Sequence, residues 1–313
     1  MTAFDDTVHA ARAATELDAS IRALGAVIDA PRVKGWYAPY RVDQRTDGAT
    51  LRSDIAYGTD ARHTLDVYTP NPSGTSGTAD ALRPLLLFVH GGGFIRGDRR
   101  ERANVGWRMA RAGYVTVLPN YRLGPDHRWP AGAEDVAAAW AWAHEHAAEL
   151  GVDPQRIVIA GESAGAAHAA AATLMSRFRH PQVPPPAAAV LISGVYNAQL
   201  EWLARRQFGI ATPDPRNEAY FGTDASRYPA MSTVEHIDAQ PFPVLVTYAE
   251  LDPPQMQVQA GELFARLVTR HGFAPDLNVI AAHNHLSQLE AVNTVDDVLA
   301  STLLGFLDRI TQR

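Results

Sequence analysis

The sequence has no cysteine among its 313 residues. This absence excludes disulfide bonds, thiolate metal sites and a cysteine nucleophile. The chain also has no apolar run near the roughly 20 residues that a membrane-spanning helix requires. Its first residues lack the basic flank and the apolar core of a secretory signal peptide. We therefore expect a cytoplasmic protein without a membrane partner.

Basic runs are scarce as well, and the net charge is −6. The densest run, RGDRRER at residues 96–102, is interrupted by two acidic residues. A nucleic-acid-binding surface needs lysine and arginine clustered into a patch or stripe. We therefore expect no nucleic-acid partner and interpret this stretch as the solvated start of a helix.

The composition is that of an ordinary globular protein. Hydrophobic residues make up 46% of the chain and charged residues 20%. A chain of this length can bury a large core without help from disulfides or metals. We expect either one large α/β domain with insertions or two smaller domains.

Strand and helix patterns alternate from residue 84 onward. Continuous apolar runs such as PLLLFVH at 84–90 are typical of strands buried on both faces. They alternate with amphipathic or alanine-rich segments of helical length, the last of them over 286–310. Two earlier strands, near 53–58 and 64–70, suit a hairpin. The pattern predicts the α/β class, with a mostly parallel central sheet and helices on both faces.

The segments outside this alternation predict a second layer. Residues 195–240 are too long for a simple connector, so we expect an insertion over the carboxyl edge of the sheet, where such folds keep their sites. The main domain then comprises residues 51–194 and 241–313. Residues 1–50 join the insertion as a cap, with an amphipathic helix first and irregular chain at 30–40.

Residues 161–165 read GESAG, a G-x-S-x-G pattern between a strand and an alanine-rich helix. A sharp turn at this place exposes the hydroxyl of Ser163, and a Cβ at position 161 or 165 would meet neighbouring chain. The following helix directs its first N–H groups at the serine. We predict that Ser163 is a nucleophile rather than a helix-capping serine between packing glycines.

A second glycine-rich stretch, His90 to Gly93, follows the strand at 84–90. Its backbone can approach a bound carbonyl closely, so the N–H groups of Gly92, Gly93 and Ala164 are candidates for an oxyanion hole. A phosphate-binding loop is disfavoured because the Lys-Ser/Thr of a P-loop is missing. We expect His90 to be structural.

Three stretches in this order, HGGGF, NYRLGPDHRWPAGAEDV and GESAGAAHAAA, resemble the α/β-hydrolase fold and, within it, the hormone-sensitive-lipase-like carboxylesterases. The resemblance extends from about residue 50 to the C-terminus. It implies a serine esterase that acts on carboxylic esters of small acids and needs no cofactor. It also implies a cap built from an N-terminal helical segment and an insertion before the acid-bearing strand.

The chain departs from this family pattern at three places. Ala166 stands where many family members have glycine, and Glu162 stands where many have aspartate. Asn120 begins a motif that is Asp-Tyr-Arg in many members. None of these positions belongs to the predicted triad.

The stretch VLVTYAELDPPQM contains two acids at the end of a strand, Glu250 and Asp252, and either could orient a catalytic histidine. Asp252 is favoured over Glu250 because Pro253 and Pro254 fix a turn directly after it, and family members resemble this with an Asp-Pro pair. In this fold the order along the chain is serine, acid, histidine.

Three histidines compete for the role of base. His271 lies in an HGF triplet but ends a helix and precedes the last strand, so it is disfavoured. His283 and His285 both follow that strand. With Asn284 as the helix cap, His285 falls in the first helical turn, where the positive helix end keeps the base neutral. We prefer His285, and we expect no metal at the His-x-His pair because no third ligand is near in sequence.

The predicted reaction is hydrolysis of a small ester through a Ser163–His285–Asp252 triad and an acyl-enzyme. An arylformamidase-like amidase is the alternative, and a non-catalytic ligand binder of the same fold is a third reading. The sequence leaves homo-oligomer formation open. The residues predicted to line the pocket, or else to form cap core, are Trp36, Tyr37, Tyr196, Trp202, Phe208 and His283.

Overall fold

The computed structural model describes residues 15–41, 47–71, 82–207, 216–239 and 241–311. Its strands are β1 (Ala49–Ala56), β2 (Thr64–Pro70), β3 (Arg83–Val89), β4 (Val115–Pro119), β5 (Val152–Glu162), β6 (Ala188–Ile192), β7 (Val244–Leu251) and β8 (Asp276–Asn284). Together they form an eight-stranded sheet in the order β1-β2-β4-β3-β5-β6-β7-β8.

The sheet is antiparallel only at its first edge. β1 and β2 form the expected hairpin, and β2 pairs antiparallel with β4. From β4 through β3, β5, β6 and β7 to β8, every neighbouring pair is parallel. The carboxyl ends of these parallel strands therefore meet at one edge of the sheet. The predicted mostly parallel sheet is confirmed.

Helices cover both faces of the sheet. They are α1 (15–24), α2 (Ala30–Arg41), α3 (Ala103–Arg111), α4 (Ala131–Glu145), α5 (Ala164–Leu174), α6 (Ala198–Gln207), α7 (Arg216–Phe221), α8 (Tyr228–Met231), α9 (Pro254–His271), α10 (Ser287–Glu290) and α11 (Val298–Thr311). None of the helices in the described ranges combines the length and apolarity needed to cross a bilayer.

Side chains alternate between two cores along each central strand. In β3, Leu85 and Leu87 pack in a cluster with α4, α5 and α9. Leu86 and Phe88 point the other way, into a cluster with α3 and α11. Successive residues of a strand face opposite sides of the sheet, so a continuous apolar run fills both cores at once.

The expectation of irregular chain at 30–40 is wrong, because these residues form α2. Pro31 stands in the first helical turn, where its missing N–H has no partner to lose. Val33 and Tyr37 lie one turn apart and bury against Leu17 and Ile21 of α1. This tertiary packing outweighs the weak helical propensity of the segment.

The expectation of one closing helix over 286–310 is also wrong, because the chain breaks it into α10 and α11. Asn293 takes a left-handed conformation with φ of 67°. Its N–H donates to Asp297 Oδ1 at 2.8 Å, and Thr294 Oγ1 donates to the carbonyl of Ala291 at 2.6 Å. Such local side-chain bonds replace the backbone bonds that a continuous helix requires.

The segment between β6 and β7 contains α6, α7 and α8 and packs on the carboxyl edge of the sheet. Tyr220, Phe221 and Tyr228 from this segment bury against Phe94 and Ala164. The domain boundaries at 50, 194 and 240 remain predictions.

Candidate active site

Ser163 stands at a strained turn between β5 and α5. Its backbone has φ of 51° and ψ of −120°, a conformation that residues other than glycine rarely adopt. The Ser163 N–H donates to the carbonyl of Ile192 on the neighbouring strand β6 at 2.8 Å, which fixes the turn. Strain of this kind is typical of functional sites, where the surrounding structure holds a side chain in an exposed position.

The two glycines of the motif are required by close backbone contacts. A Cβ on Gly161 would lie 2.4 Å from the carbonyl oxygen of Gly165. A Cβ on Gly165 would lie 2.3 Å from the carbonyl oxygen of Val89. Any larger residue would push the turn away from β3, so these positions have the steric role that the sequence predicts.

A hydrogen-bonded chain joins Ser163, His285 and Asp252. The distance from His285 Nε2 to Ser163 Oγ is 3.0 Å, and the distance from His285 Nδ1 to Asp252 Oδ1 is 2.7 Å. The second oxygen of Asp252 accepts from the Ala249 N–H at 2.8 Å and from Ser193 Oγ at 2.5 Å. The carboxylate is thus fixed on both oxygens, and its orientation suits an imidazole protonated at Nδ1.

The electrostatics of His285 differ from the expectation. Burial disfavours the imidazolium, but the nearby Asp252 and Glu162 carboxylates outweigh it and raise the pKa of His285 above its usual value. His285 also lies in the turn before α10 rather than in the first helical turn. Asn284 Oδ1 does accept from the Ser287 N–H at 3.0 Å, as a cap would. The predicted lowering by the helix end is wrong because a carboxylate in contact is the stronger influence.

The loop after β3 contains two of the three predicted oxyanion donors, Gly92 and Gly93. Gly92 and Gly93 have φ of 133° and 62°, and a Cβ on Gly92 would lie 1.9 Å from the carbonyl oxygen of Arg96. The N–H of Gly91 donates to Glu162 Oε1 at 3.0 Å, which holds the loop against the serine turn. The N–H groups of Gly92, Gly93 and Ala164 remain the predicted oxyanion donors.

His90 is a buried neighbour of this loop. Its Nδ1 lies 2.6 Å from the carbonyl oxygen of Gly91, and its ring stacks on Tyr121 with centroids 4.5 Å apart. Burial lowers the pKa of His90 to about 4, so the ring stays neutral. These contacts agree with the structural role expected for it.

A buried ion network behind the serine was missed in the sequence. Arg102 donates through Nε to Glu162 Oε1, and its Nη1 lies 3.4 Å from Glu290 Oε1. Glu290 also pairs with Arg41 of α2 at 2.6 Å. The interpretation of residues 96–102 as a solvated helix start is therefore wrong for Arg99 and Arg102, which are only 2% and 8% exposed. The network joins the serine turn to α10 and to the N-terminal segment.

The competing candidates lie elsewhere. Glu250 accepts from Arg22 Nη1 at 2.9 Å and from the Ala282 N–H at 2.8 Å, so it faces α1. His271 ends α9 next to Gly272, which takes the left-handed capping conformation. His283 Nδ1 lies 3.1 Å from Ser287 Oγ, and its Nε2 lies 3.5 Å from Asp296 Oδ1. It is fully buried and is not brought to Ser163.

Most of the predicted pocket aromatics form core. Tyr37 is buried and donates to Asp296 Oδ2 at 2.9 Å, and Trp36 packs beside it. Tyr196 is buried, and its hydroxyl accepts from the Gly194 N–H at 3.2 Å. Trp202 packs against the cluster that contains Phe94 and Ala164. Phe208 lies outside the described residues.

An aromatic group that the sequence did not single out lies next to residues 91–93, the predicted oxyanion loop. Phe94 stacks on Tyr220 with ring centroids 4.8 Å apart and meets Phe221 edge-on at 5.2 Å. Phe94 directly follows the glycines, and Tyr220 and Phe221 come from α7. The spacing along the chain gave no signal for this contact, because the partners are more than 120 residues apart.

Comparison with known proteins places this geometry in a family. Residues 86–287 match the family described as alpha/beta hydrolase fold. The chain is 30% identical over 267 residues to a protein named ethyl acetate hydrolase from Pseudomonas putida, covering 77% of each chain. It is 31% identical over 227 residues to carboxylic ester hydrolase LipN from Mycobacterium tuberculosis, covering 68% of this chain and 58% of that one. A solved structure, bacterial heroin esterase, is 27% identical, with a TM-score of 0.72 over 95% of this chain and 98% of that one.

Proposed function

The chain belongs to the α/β hydrolase fold family and is a carboxylic ester hydrolase, and we propose that it works as a serine carboxylesterase through Ser163, His285 and Asp252. One observation carries this proposal, namely the unbroken hydrogen-bonded chain from Asp252 through His285 to a serine held in a strained, positive-φ turn.

The proposed reaction is acyl transfer in two steps. Ser163 Oγ attacks the ester carbonyl while His285 Nε2 accepts its proton, and Asp252 stabilises the imidazolium that forms. The N–H groups of Gly92, Gly93 and Ala164 bind the oxyanion of the tetrahedral intermediate. His285 then donates its proton to the leaving alcohol. Water attacks the acyl-enzyme with the same base and releases the acid.

The raised pKa of His285 fits this mechanism. A base that must accept a proton from serine works best when its pKa lies close to the operating pH. Asp252 provides this basicity, and its own orientation depends on Ser193, whose Oγ also accepts from Gln288 Nε2 at 2.8 Å. The buried side chains of Ser193 and Gln288 therefore hold the acid in place.

We propose small esters, either short-chain or aryl, as the substrates. The buried rings of Phe94, Tyr220 and Phe221 fill the space beside the oxyanion loop, which supports compact substrate groups there. Relatives named for ethyl acetate and heroin hydrolysis support the same range. The complete triad argues against a ligand binder that has lost catalysis, and none of the contacts among the described residues of the site favours amides over esters.

The proposal is tested with p-nitrophenyl butyrate and the variant Ser163→Ala. We expect the variant to lose at least about 10⁴-fold in kcat, because removal of a triad serine leaves only binding and oxyanion stabilisation. Circular dichroism and melting temperature serve as controls for folding. Hydrolysis at the wild-type rate by a folded Ser163→Ala variant would refute the mechanism.

A further inference from the structure

The short helix α7 is fixed against the oxyanion loop by its two aromatic residues. Tyr220 stacks on Phe94, and Phe221 contacts the edge of the same ring. The carbonyl of Tyr220 also accepts from the Trp129 N–H at 3.0 Å, and its hydroxyl accepts from the Gly132 N–H at 3.2 Å. These contacts hold α7 on the catalytic domain, so the residue that begins it has a defined position.

Arg216 is that first residue, and its side chain lies directly on Gly93. A Cβ placed on residue 93 would stand 2.4 Å from Arg216 Cδ and 3.3 Å from Arg216 Nε. The charge of Arg216 also acts on the triad, since it opposes protonation of the His285 imidazole. The contact with Gly93 therefore places a cation of the insertion on the oxyanion loop, within electrostatic reach of the base.

The carboxylates of the site are bound by other groups. Glu162 is held by Arg102 and by the Gly91 N–H. Asp252 is held by His285, Ser193 and the Ala249 N–H. The acids that act on His285 are thus bound within the catalytic domain, whereas the cation beside Gly93 comes from α7.

We propose that Arg216 recognises a carboxylate on the substrate, so that the enzyme prefers esters that carry an acidic group over neutral esters of the same size. This inference rests on the proposed esterase function. A guanidinium offers two parallel N–H groups that match a carboxylate, and its five donors allow this contact beside others. Because Arg216 lies on Gly93, a carboxylate a few bonds from the ester carbonyl reaches it.

The test uses two matched pairs of esters. On the acyl side, p-nitrophenyl hydrogen glutarate is compared with p-nitrophenyl pentanoate. On the alcohol side, 4-acetoxybenzoate is compared with 4-methylphenyl acetate. The ratio of kcat/KM for the acidic ester to that for the neutral ester is measured for each pair. A response in one pair shows on which side of the ester the carboxylate binds.

Three variants separate charge from packing. Arg216→Met keeps an aliphatic chain on Gly93 and removes the charge, and Arg216→Lys keeps the charge without the planar fork. Arg227→Met is the matched control, because Arg227 is an exposed arginine of the same insertion. We expect Arg216→Met to lower the ratio roughly 10- to 100-fold in at least one pair. Arg216→Lys should retain part of the preference for the acidic ester, and Arg227→Met should leave the ratio unchanged.

An unchanged ratio in both pairs for Arg216→Met would overturn the proposal. This outcome includes an equal fall in kcat/KM for the acidic and neutral members, since Arg216 would then only support the loop. Hydrolysis of the neutral esters by the wild type tests the esterase function separately. A wild type that hydrolyses none of the four esters would refute both proposals, whereas neutral hydrolysis with an unchanged ratio refutes the role of Arg216 alone.

Discussion

Two clusters of serine, histidine and aspartate lie side by side in this molecule, and their histidines are one residue apart. The first cluster, which we propose to be catalytic and call the catalytic cluster, contains Ser163, His285 and Asp252. The second cluster, as we name it, contains Ser287, His283 and Asp296. Their residue types are identical, so the difference between them shows what a hydrolytic site needs beyond composition.

The two clusters differ in the order of contacts on the imidazole. In the catalytic cluster the acid meets Nδ1 at 2.7 Å and the serine meets Nε2 at 3.0 Å. In the second cluster the serine meets Nδ1 at 3.1 Å and the acid lies 3.5 Å from Nε2. Only the first arrangement has a short charge-assisted contact that orients the base.

The serines differ even more. Ser163 is partly exposed, stands in a strained turn and adjoins the glycine loop. Ser287 is fully buried in α10, where its Oγ accepts from the Asn284 N–H at 2.9 Å. No substrate can approach it. The second cluster instead receives the Tyr37 hydroxyl on Asp296, so it holds α2 of the N-terminal segment against the catalytic domain.

Replacement of each histidine by alanine should give the largest difference in kcat between the two clusters. We expect His285→Ala to lower kcat for p-nitrophenyl butyrate by about 10⁴-fold or more, because the serine loses its base. His283→Ala should change kcat less than about tenfold and should instead lower the melting temperature. Steady-state kinetics and thermal unfolding monitored by circular dichroism measure both. The reverse order of effects would assign catalysis to His283.

The acids provide the next contrast. Asp252→Asn should lower kcat by roughly 10³- to 10⁴-fold, since the amide no longer stabilises the imidazolium or fixes its tautomer. Asp296→Asn should leave kcat nearly unchanged and reduce the free energy of unfolding by about 1–2 kcal/mol, because the bond from Tyr37 becomes weaker. Denaturant titration measures the change in the free energy of unfolding. If Asp296→Asn lost as much kcat as Asp252→Asn, the proposed difference in function between the two clusters would be refuted.

The two clusters should also respond differently to a fall in pH. The pKa of His285 is raised above 6.5, and the base acts only when neutral, so kcat/KM should fall about tenfold per pH unit below that pKa. Burial raises the pKa of Asp296, but its bonds to His283 and Tyr37 outweigh this and lower it below 3.8. The stability from Asp296 is therefore present above about pH 3.8 and is lost as the pH falls through the lower folded value.

At pH values well below the pKa of His285 but above about 3.8, the enzyme should be inactive while its N-terminal segment stays bound. The buried neutral His90 and His168, with pKa values lowered to about 4 and 3, reduce stability as the pH falls below 6.5. Full recovery of activity on return from pH 5.5 to pH 7.5 is therefore the control against unfolding. A kcat/KM that stays constant down to pH 5 would contradict the raised pKa of His285.

The smallest effect is expected for Tyr37→Phe. This change removes the hydroxyl that donates to Asp296 and keeps the buried ring. We expect a loss of about 1 kcal/mol in the free energy of unfolding and a melting temperature lower by about 2 °C. The kcat of the variant should match the wild type. A large loss of kcat would mean that the second cluster contributes to the reaction.

Patterns that are local in sequence predicted much of this molecule. The alternation of strands and helices gave the sheet, and the glycines at 161 and 165 gave the serine turn. The expected base follows the last strand of the sheet in a chain order of serine, acid and histidine. This order favoured His285, which follows that strand, over His271, which precedes it. The sheet and the serine turn follow from neighbouring residues and strand order, whereas the order of serine, acid and histidine is what the resemblance to the α/β-hydrolase fold implies.

Features that depend on distant partners were missed. The burial of Arg102 requires Glu162 and Glu290, which lie 60 and 188 residues away. The helix at 30–41 forms because Tyr37 packs on α1 and bonds Asp296, 259 residues away. The break between α10 and α11, which places Asp296 beside His283, depends on side-chain bonds inside a segment with helical periodicity. Propensity and periodicity contain no information about such partners.

Covalent labelling by a fluorophosphonate tests the distinction between the clusters most directly, because the probe reacts only with an activated, accessible serine. The labelled protein is digested, and the modified peptide is identified by mass spectrometry. We expect one adduct on Ser163 in the wild type and none in Ser163→Ala, with Ser287 unmodified in both. An adduct on Ser287, or persistent labelling of a folded Ser163→Ala variant, would contradict the assignment of the catalytic cluster.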